Sequence, residues 1–155
     1  MAEYEAVLEQ SIDIDAPPAH VWDLVHDVTR MPEWSPQVVS TRLRSGFDAV
    51  AVGAEFTNLN KQGEMEWVTH GEVVRFEPER ELAFRIQENW AVWSFRLEPI
   101  DDGGTRLTQR RDTPDGISDL SLELTDGFLG GQEAFTETLR AGMRQTLERI
   151  RDAAV

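Results

Sequence analysis

The stretch from Ser11 to Pro36, SIDIDAPPAHVWDLVHDVTRMPEWSP, constrains the fold more than any other part of the chain. Up to Ile14 it alternates with period two. Over residues 4–14, Leu8, Ile12 and Ile14 share one face and Glu9, Ser11 and Asp13 the other, which predicts a half-buried strand. Asp15-Ala16-Pro17-Pro18 ends it, because proline offers no N–H to a ladder and presets φ for a first helical turn. A short helix follows, with Val21, Trp22, Leu24, Val25 and Val28 apolar and His20, Asp23, His26 and Asp27 turned outward. Met31-Pro-Glu-Trp34-Ser-Pro36 then reads as a second short helix or a turn. This order of parts points to a container for a small apolar molecule.

From Val38 to Asp112 the chain reads as antiparallel strands at 38–45, 54–60, 65–77, 81–89, 91–99 and 105–112. The breaks fall at Gly46 to Gly53, Lys61-Gln-Gly63, Glu77-Pro-Glu-Arg80, Asn89 and Asp101-Asp-Gly-Gly104. The last is the strongest hairpin signal, since aspartate and glycine tolerate positive φ. Short links of this kind make a meander with one packed face and one wet face. Residues 113–131 form a long connection in which Leu120, Leu124 and Phe128 suit a helix, while Leu120, Leu122 and Leu124 suit a strand. Connections this long in compact domains often serve as lids, and residues 120–129 are the candidate here. After Gly130-Gly131 a helix is predicted from Gln132 to about Ala153, with Phe135, Leu139, Met143, Leu147 and Ile150 forming one apolar stripe. Arg140, Arg144, Arg149 and Arg151 in its second half suit the negative end of the helix dipole.

A chain of 155 residues suits one domain, 1–155, with a sizeable core. It has no cysteine, which removes disulfides, thiolate metal sites and a thiol nucleophile together. The N-terminus has neither the basic region nor the apolar core of a signal peptide, and no apolar run approaches the length of a bilayer span. A cytoplasmic protein without membrane insertion is expected. The formal charge of −14 argues against nucleic acid and anionic membranes as partners. Seven acids between Asp112 and Leu139, unaccompanied by Lys or Arg, read as a solvated loop and helix face rather than a docking field.

The residues resemble the polyketide cyclase/dehydrase-like branch of the START and birch-pollen-allergen (SRPBCC) superfamily. IDIDAPPAHVWDLVHD, MPEWSP, EVVRFEPERELAFRI, WSFRLEP and GTRLTQ carry the resemblance, and in that order they cover nearly the whole chain. It implies an α+β helix-grip fold: a seven-stranded curved antiparallel sheet wrapped around a long C-terminal helix, with two short helices between strands 1 and 2. It also implies a mostly apolar cavity between the concave face and that helix. Members include ligand carriers, aromatases, cyclases and proteins without a known role, so the resemblance leaves activity open.

Alternation then sorts side chains relative to that cavity. Trp93, Phe95 and Leu97 share one face, as do Leu82, Phe84 and Ile86, and as do Met65, Trp67, Thr69 and Gly71. From Val73 the phase of the middle strand slips, because Val74 and Phe76 are also apolar. In the last strand Gln109 and Arg111 share the face of Leu107, so an inward Leu107 brings both inward. An inward guanidinium needs an anion or oxygen acceptors. One reading makes Arg111, with Gln109, the anchor for a carboxylate, phenolate or carbonyl of a ligand. The other pairs it with Glu88 or Glu72, or lets it emerge at the cavity mouth.

Of five tryptophans, Trp67 and Trp93 suit a cavity wall, Trp22 suits the core, and Trp34 suits core or rim. Trp90 suits an exposed loop tip or the entrance. Phe135, Leu139 and Met143 would roof the cavity, and Gly142 would let the helix approach the sheet. The candidate ligand-binding set is therefore Trp67, Thr69, Phe84, Trp93, Phe95, Gln109, Arg111, Phe128, Phe135, Leu139 and Met143.

His20, His26 and His70 are scattered without metal-ligand spacing, and neither a nucleophile elbow nor P-loop spacing occurs. No metal or cofactor is expected. His70, beside Thr69 and Glu72, could act as a general base, but period two puts it on the wet face. Three functions fit. The first is binding of a small hydrophobic, aromatic or polyketide- or lipid-like molecule. The second is an aromatase/cyclase working without metal or covalent nucleophile. The third is an interaction or stress-related protein with a vestigial cavity. The partner in the first two is a small hydrophobic ligand, and the chain would be a monomer or homodimer.

Overall fold

In the computed structural model, which describes residues 7–118 and 131–155, strand β1 (Val7–Ile14) gives way to helix α1 (Pro18–Val25) across the proline pair. Pro18 sits in the first turn, where a helix has no use for the missing N–H. α1 buries Val21, Trp22, Leu24 and Val25, the face its periodicity predicts. At the corner entering α1, Thr105 Oγ1 donates to the Ala16 carbonyl at 2.7 Å, so a buried backbone acceptor is satisfied across the sheet.

A single 3-10 turn (Val28–Arg30) follows, capped by Asp27, whose carboxylate accepts from Thr29 N at 2.9 Å and Thr29 Oγ1 at 2.6 Å. Helix α2 (Met31–Trp34) completes the second short helical segment. Trp34 is buried in the core, with the Arg30 guanidinium 5.1 Å from its ring centroid. Arg30 also grips Glu33 through two N–H···O bonds of 2.7 and 3.1 Å, and this hydrogen bond holds the Glu33 carboxyl below its ordinary range.

Six further strands follow: β2 (Val38–Leu43), β3 (Glu55–Gln62), β4 (Met65–Glu77), β5 (Glu81–Ile86), β6 (Val92–Pro99) and β7 (Thr105–Asp112). They form one curved antiparallel sheet in the order β1-β7-β6-β5-β4-β3-β2, so β1 returns to pair with the last strand. The β3–β4 turn is tighter than the sequence suggests. Lys61 and Gln62 still pair with Glu66 and Met65, because positive φ at Gly63 lets two residues close the hairpin. The phase slip in β4 is a bulge between Val73 and Arg75, after which Phe76 turns inward against Trp22.

Helix α3 (Gln132–Ala154) packs against β1, α1 and α2. Its apolar stripe serves two ends of the fold. Leu147 and Ile150 join the solid core with α1, Trp34, Val73, Leu82 and Leu107. Leu139 and Met143 form a smaller cluster with Leu8, against which Trp93 and Phe135 pack.

The core is tightly filled where β3 meets β4. Phe56 is fully buried, pairs in register with Gly71, and packs edge-on to Phe84 with ring centroids 5.3 Å apart. A Cβ on Gly71 would sit 2.3 Å from Phe56 Cζ, so the ring occupies the space that any side chain there would need.

Candidate functional site

Between the N-terminal half of α3 and the concave face of the sheet the packing stops, leaving a cavity of about 410 Å³. The volume falls in the range of small-molecule sites. Its floor is laid by alternation. Each strand from β3 to β7 turns every second side chain inward, so β6 contributes Trp93 and Phe95, β5 Phe84 and Ile86, and β4 Trp67 and Thr69. Phe135, Leu139 and Met143 of α3 cover it, and Met31, Ser35 and Pro36 close one side.

At the β7 side stand Gln109 and Arg111. The pairing register sets Gln109 opposite Phe95 and Arg111 opposite Trp93 on β6, with Leu8 of β1 beside Arg111 on the other flank. Both side chains are buried, and both line the cavity. Gln109 is 9% exposed, and its Oε1 has no hydrogen-bond partner among the described residues. Glu72, one of the acids the sequence offers to Arg111, lies exposed on the opposite face of β4. The Glu88 carboxylate accepts from His70 N and meets His70 Nδ1, both at 2.6 Å.

Ten of the eleven residues picked from the sequence thus lie around one cavity: Trp67, Thr69, Phe84, Trp93, Phe95, Gln109, Arg111, Phe135, Leu139 and Met143. Phe128, and the proposed lid at 120–129, fall outside the described residues. Trp34 is a core residue and does not line the cavity; its neighbours Ser35 and Pro36 do. Trp90 is a loop-tip residue, 39% exposed with φ 69°, while Asn89 and Ala91 on either side of it line the cavity. Gly142 does line the cavity, but a Cβ there would meet Pro36 at 3.6 Å, an ordinary contact. Close approach to the sheet is therefore not what this glycine provides. His70 sits outside the lining, half-buried against Glu88.

The sequence reading missed Asn58 and Asn60 on β3, which line the cavity and are 3% and 6% exposed. Their signal was available: by period two both share the face of Phe56. Thr136 and Thr146 of α3 are also lining residues, and they flank the apolar stripe. Thr146 Oγ1 is already engaged, donating to the Gly142 carbonyl at 2.8 Å.

Among the described residues, no group of three His, Asp or Glu side chains is placed to hold a metal ion, and no helix is long and apolar enough to cross a membrane. Arg111 is the one ionisable side chain among the described lining residues. The arrangement can enclose an apolar body and meet its oxygens with amides, hydroxyls and one guanidinium.

A family model described as polyketide cyclase/dehydrase and lipid transport matches residues 5–155. The polyketide-cyclase-like protein Cgl2372 of Corynebacterium glutamicum shares 30% identity over 96% of this chain and 90% of its own, with a TM-score of 0.61. XoxI of Bacillus cereus is 14% identical over 96% and 95% of the two chains, with a TM-score of 0.70. StfQ, a di-domain ARO/CYC protein from the steffimycin biosynthetic pathway, is 13% identical with a TM-score of 0.72. That match covers 96% of this chain and 50% of StfQ. The last two likenesses are likenesses of fold. No curated protein matches the sequence.

Proposed function

The chain belongs to the polyketide cyclase/dehydrase and lipid transport family, and we propose that it binds a small, flat, largely apolar molecule in the cavity under α3. Trp67, Phe84, Trp93, Phe95, Phe135, Leu139 and Met143 are the walls. Gln109 and Arg111 are the polar anchor: Arg111 donates to a carboxylate, phenolate or carbonyl oxygen, and Gln109 Oε1 accepts from a ligand hydroxyl or N–H beside it. The observation that carries this reading is the pairing of an aromatic-floored cavity of about 410 Å³ with a buried amide whose Oε1 has no partner among the described residues. A buried acceptor without a bond costs about 1–3 kcal/mol, so a ligand hydroxyl or N–H that donates to Gln109 Oε1 recovers that free energy on binding. A guanidinium carries five N–H donors in a fixed fork, so Arg111 can meet a ligand oxygen in addition to its other contacts.

Binding is favoured over cyclisation by the chemistry of the lining. A cyclase needs an acid or base within hydrogen-bond reach of the carbon chain it folds. The described lining offers amides, hydroxyls and Arg111, groups that orient a molecule rather than exchange protons with it. His70, the sequence candidate for a base, lies outside it.

Native mass spectrometry of the protein purified from its own cells tests the proposal. We expect a noncovalent adduct that is lost on denaturation and whose mass and fragments describe an oxygenated, ring-containing molecule. Protein that emerges bare and also fails to take up the neutral probe N-phenyl-1-naphthylamine would contradict the reading.

A further inference from the structure

Polarity across the cavity floor is not confined to β7. In strand order the inward side chains run from Gln109 and Arg111 on β7, through Trp93 and Phe95 on β6 and Phe84 on β5, to Trp67 and Thr69 on β4, and end with Asn58 and Asn60 on β3. Two polar ends therefore flank an aromatic middle. Four strand spacings separate β7 from β3, about 19 Å measured along the sheet.

The β3 end is a built site. Asn60 Nδ2 donates to the Trp67 carbonyl at 3.2 Å and to Thr69 Oγ1 at 3.0 Å. The carbonyl accepts only, which fixes the amide with its nitrogen toward β4 and leaves Asn60 Oδ1 as a spare acceptor. Asn58 Oδ1 accepts from Thr41 Oγ1 at 2.7 Å, which leaves the Asn58 NH2 as a spare donor. The Thr69 hydroxyl, having accepted from Asn60, retains its own proton to donate. These three side chains are all more than nine-tenths buried, so their remaining capacity faces the cavity rather than open solvent.

We infer that Asn58, Asn60 and Thr69 form a second polar subsite, selecting ligands that carry a hydrogen-bonding oxygen at each end of an apolar, ring-sized body. This rests on the binding reading above and narrows its ligand class. A molecule with a single polar end, such as a simple fatty acid, would lay hydrocarbon against the spare amide groups and lose their bonds to solvent. A hydroxyl suits the β3 end best, since it can accept from Asn58 or Thr69 while donating to Asn60.

The test uses two rod-shaped probes, stilbene-4-carboxylate and 4'-hydroxystilbene-4-carboxylate, titrated by calorimetry against the whole protein. In the wild-type protein the hydroxylated probe should bind about tenfold more tightly, the size of a well-placed hydrogen bond. In the double variant Thr41→Val/Asn58→Leu, which removes both partners of one bond, that advantage should shrink to about threefold or less. The plain acid should bind the variant at least as well as it binds the wild type. A thermal melt of the variant confirms folding, and the wild-type ratio stands by itself if the variant fails. Equal binding of the two probes to wild type would overturn the second subsite while leaving the cavity reading intact. Failure of both to bind would overturn the cavity reading and this inference with it.

Discussion

Replacing Gly71 with alanine is expected to destabilise the fold by about 3 kcal/mol, near the top of the range for overpacking. Most glycine substitutions in strands are mild or helpful, because alanine is the better strand residue. Here the new Cβ would lie 2.3, 2.7 and 2.9 Å from three atoms of the Phe56 ring, inside any sustainable contact. The ring has nowhere to go, since Phe56 is fully buried and wedged against Phe84. Phe56→Ala alone should cost about 3–5 kcal/mol through the cavity it leaves. The two changes should be strongly coupled. In the Phe56→Ala background the Gly71→Ala methyl enters vacated space, so its added cost should fall below about 1 kcal/mol. Urea unfolding of the four proteins measures this through shifts in midpoint at constant slope. Additive penalties would mean that the Phe56 ring does not fill the space over Gly71.

Removing the guanidinium at position 111 should separate ligands by charge. Arg111→Gln is expected to weaken binding of 8-anilino-1-naphthalenesulfonate about 10- to 100-fold, the value of a charge-assisted hydrogen bond in a sheltered site. N-phenyl-1-naphthylamine, the same ring framework without the sulfonate, should change by about twofold or less. Arg111→Lys should restore part of the loss, because it returns the charge without the planar fork. Fluorescence titration reads both probes, and a thermal melt of each variant separates lost affinity from lost fold. Equal losses for the two probes would remove Arg111 from the anchoring role and leave it a structural residue between Leu8 and Trp93.

How far the fold could be read from residues alone depends on how local each cause is. The Leu107-Gln109-Arg111 face was legible because the Asp101–Gly104 turn marks where β7 begins, and period two then sets every inward side chain. The tryptophans of β4 and β6 were legible for the same reason. Asn58 and Asn60 obey the same alternation, but polar residues invite an outward assignment, and only their phase with Phe56 argues otherwise. Gly71 illustrates a different limit. Nothing within β4 requires a glycine there; the requirement comes from a ring on the neighbouring strand, brought opposite by the β3–β4 register. Trp34 depended on packing by a distant segment: its ring lies in the core cluster with Leu147 and Ile150 of α3, neighbours the local sequence does not reveal. The division of the α3 stripe into a cavity half and a core half likewise follows from where α1 packs, which residues within α3 do not reveal.

The central claim is that the space under α3 admits a ligand, and intermolecular NOEs on methyl-labelled protein test it most directly. With N-phenyl-1-naphthylamine bound, we expect NOEs from its ring protons to the methyls of Met143 and Leu139, and none to Leu147 or Ile150 in the solid core. NOEs confined to exposed methyls such as those of Val39 and Val52, with Met143 and Leu139 unaffected, would show the probe on the surface and contradict the account.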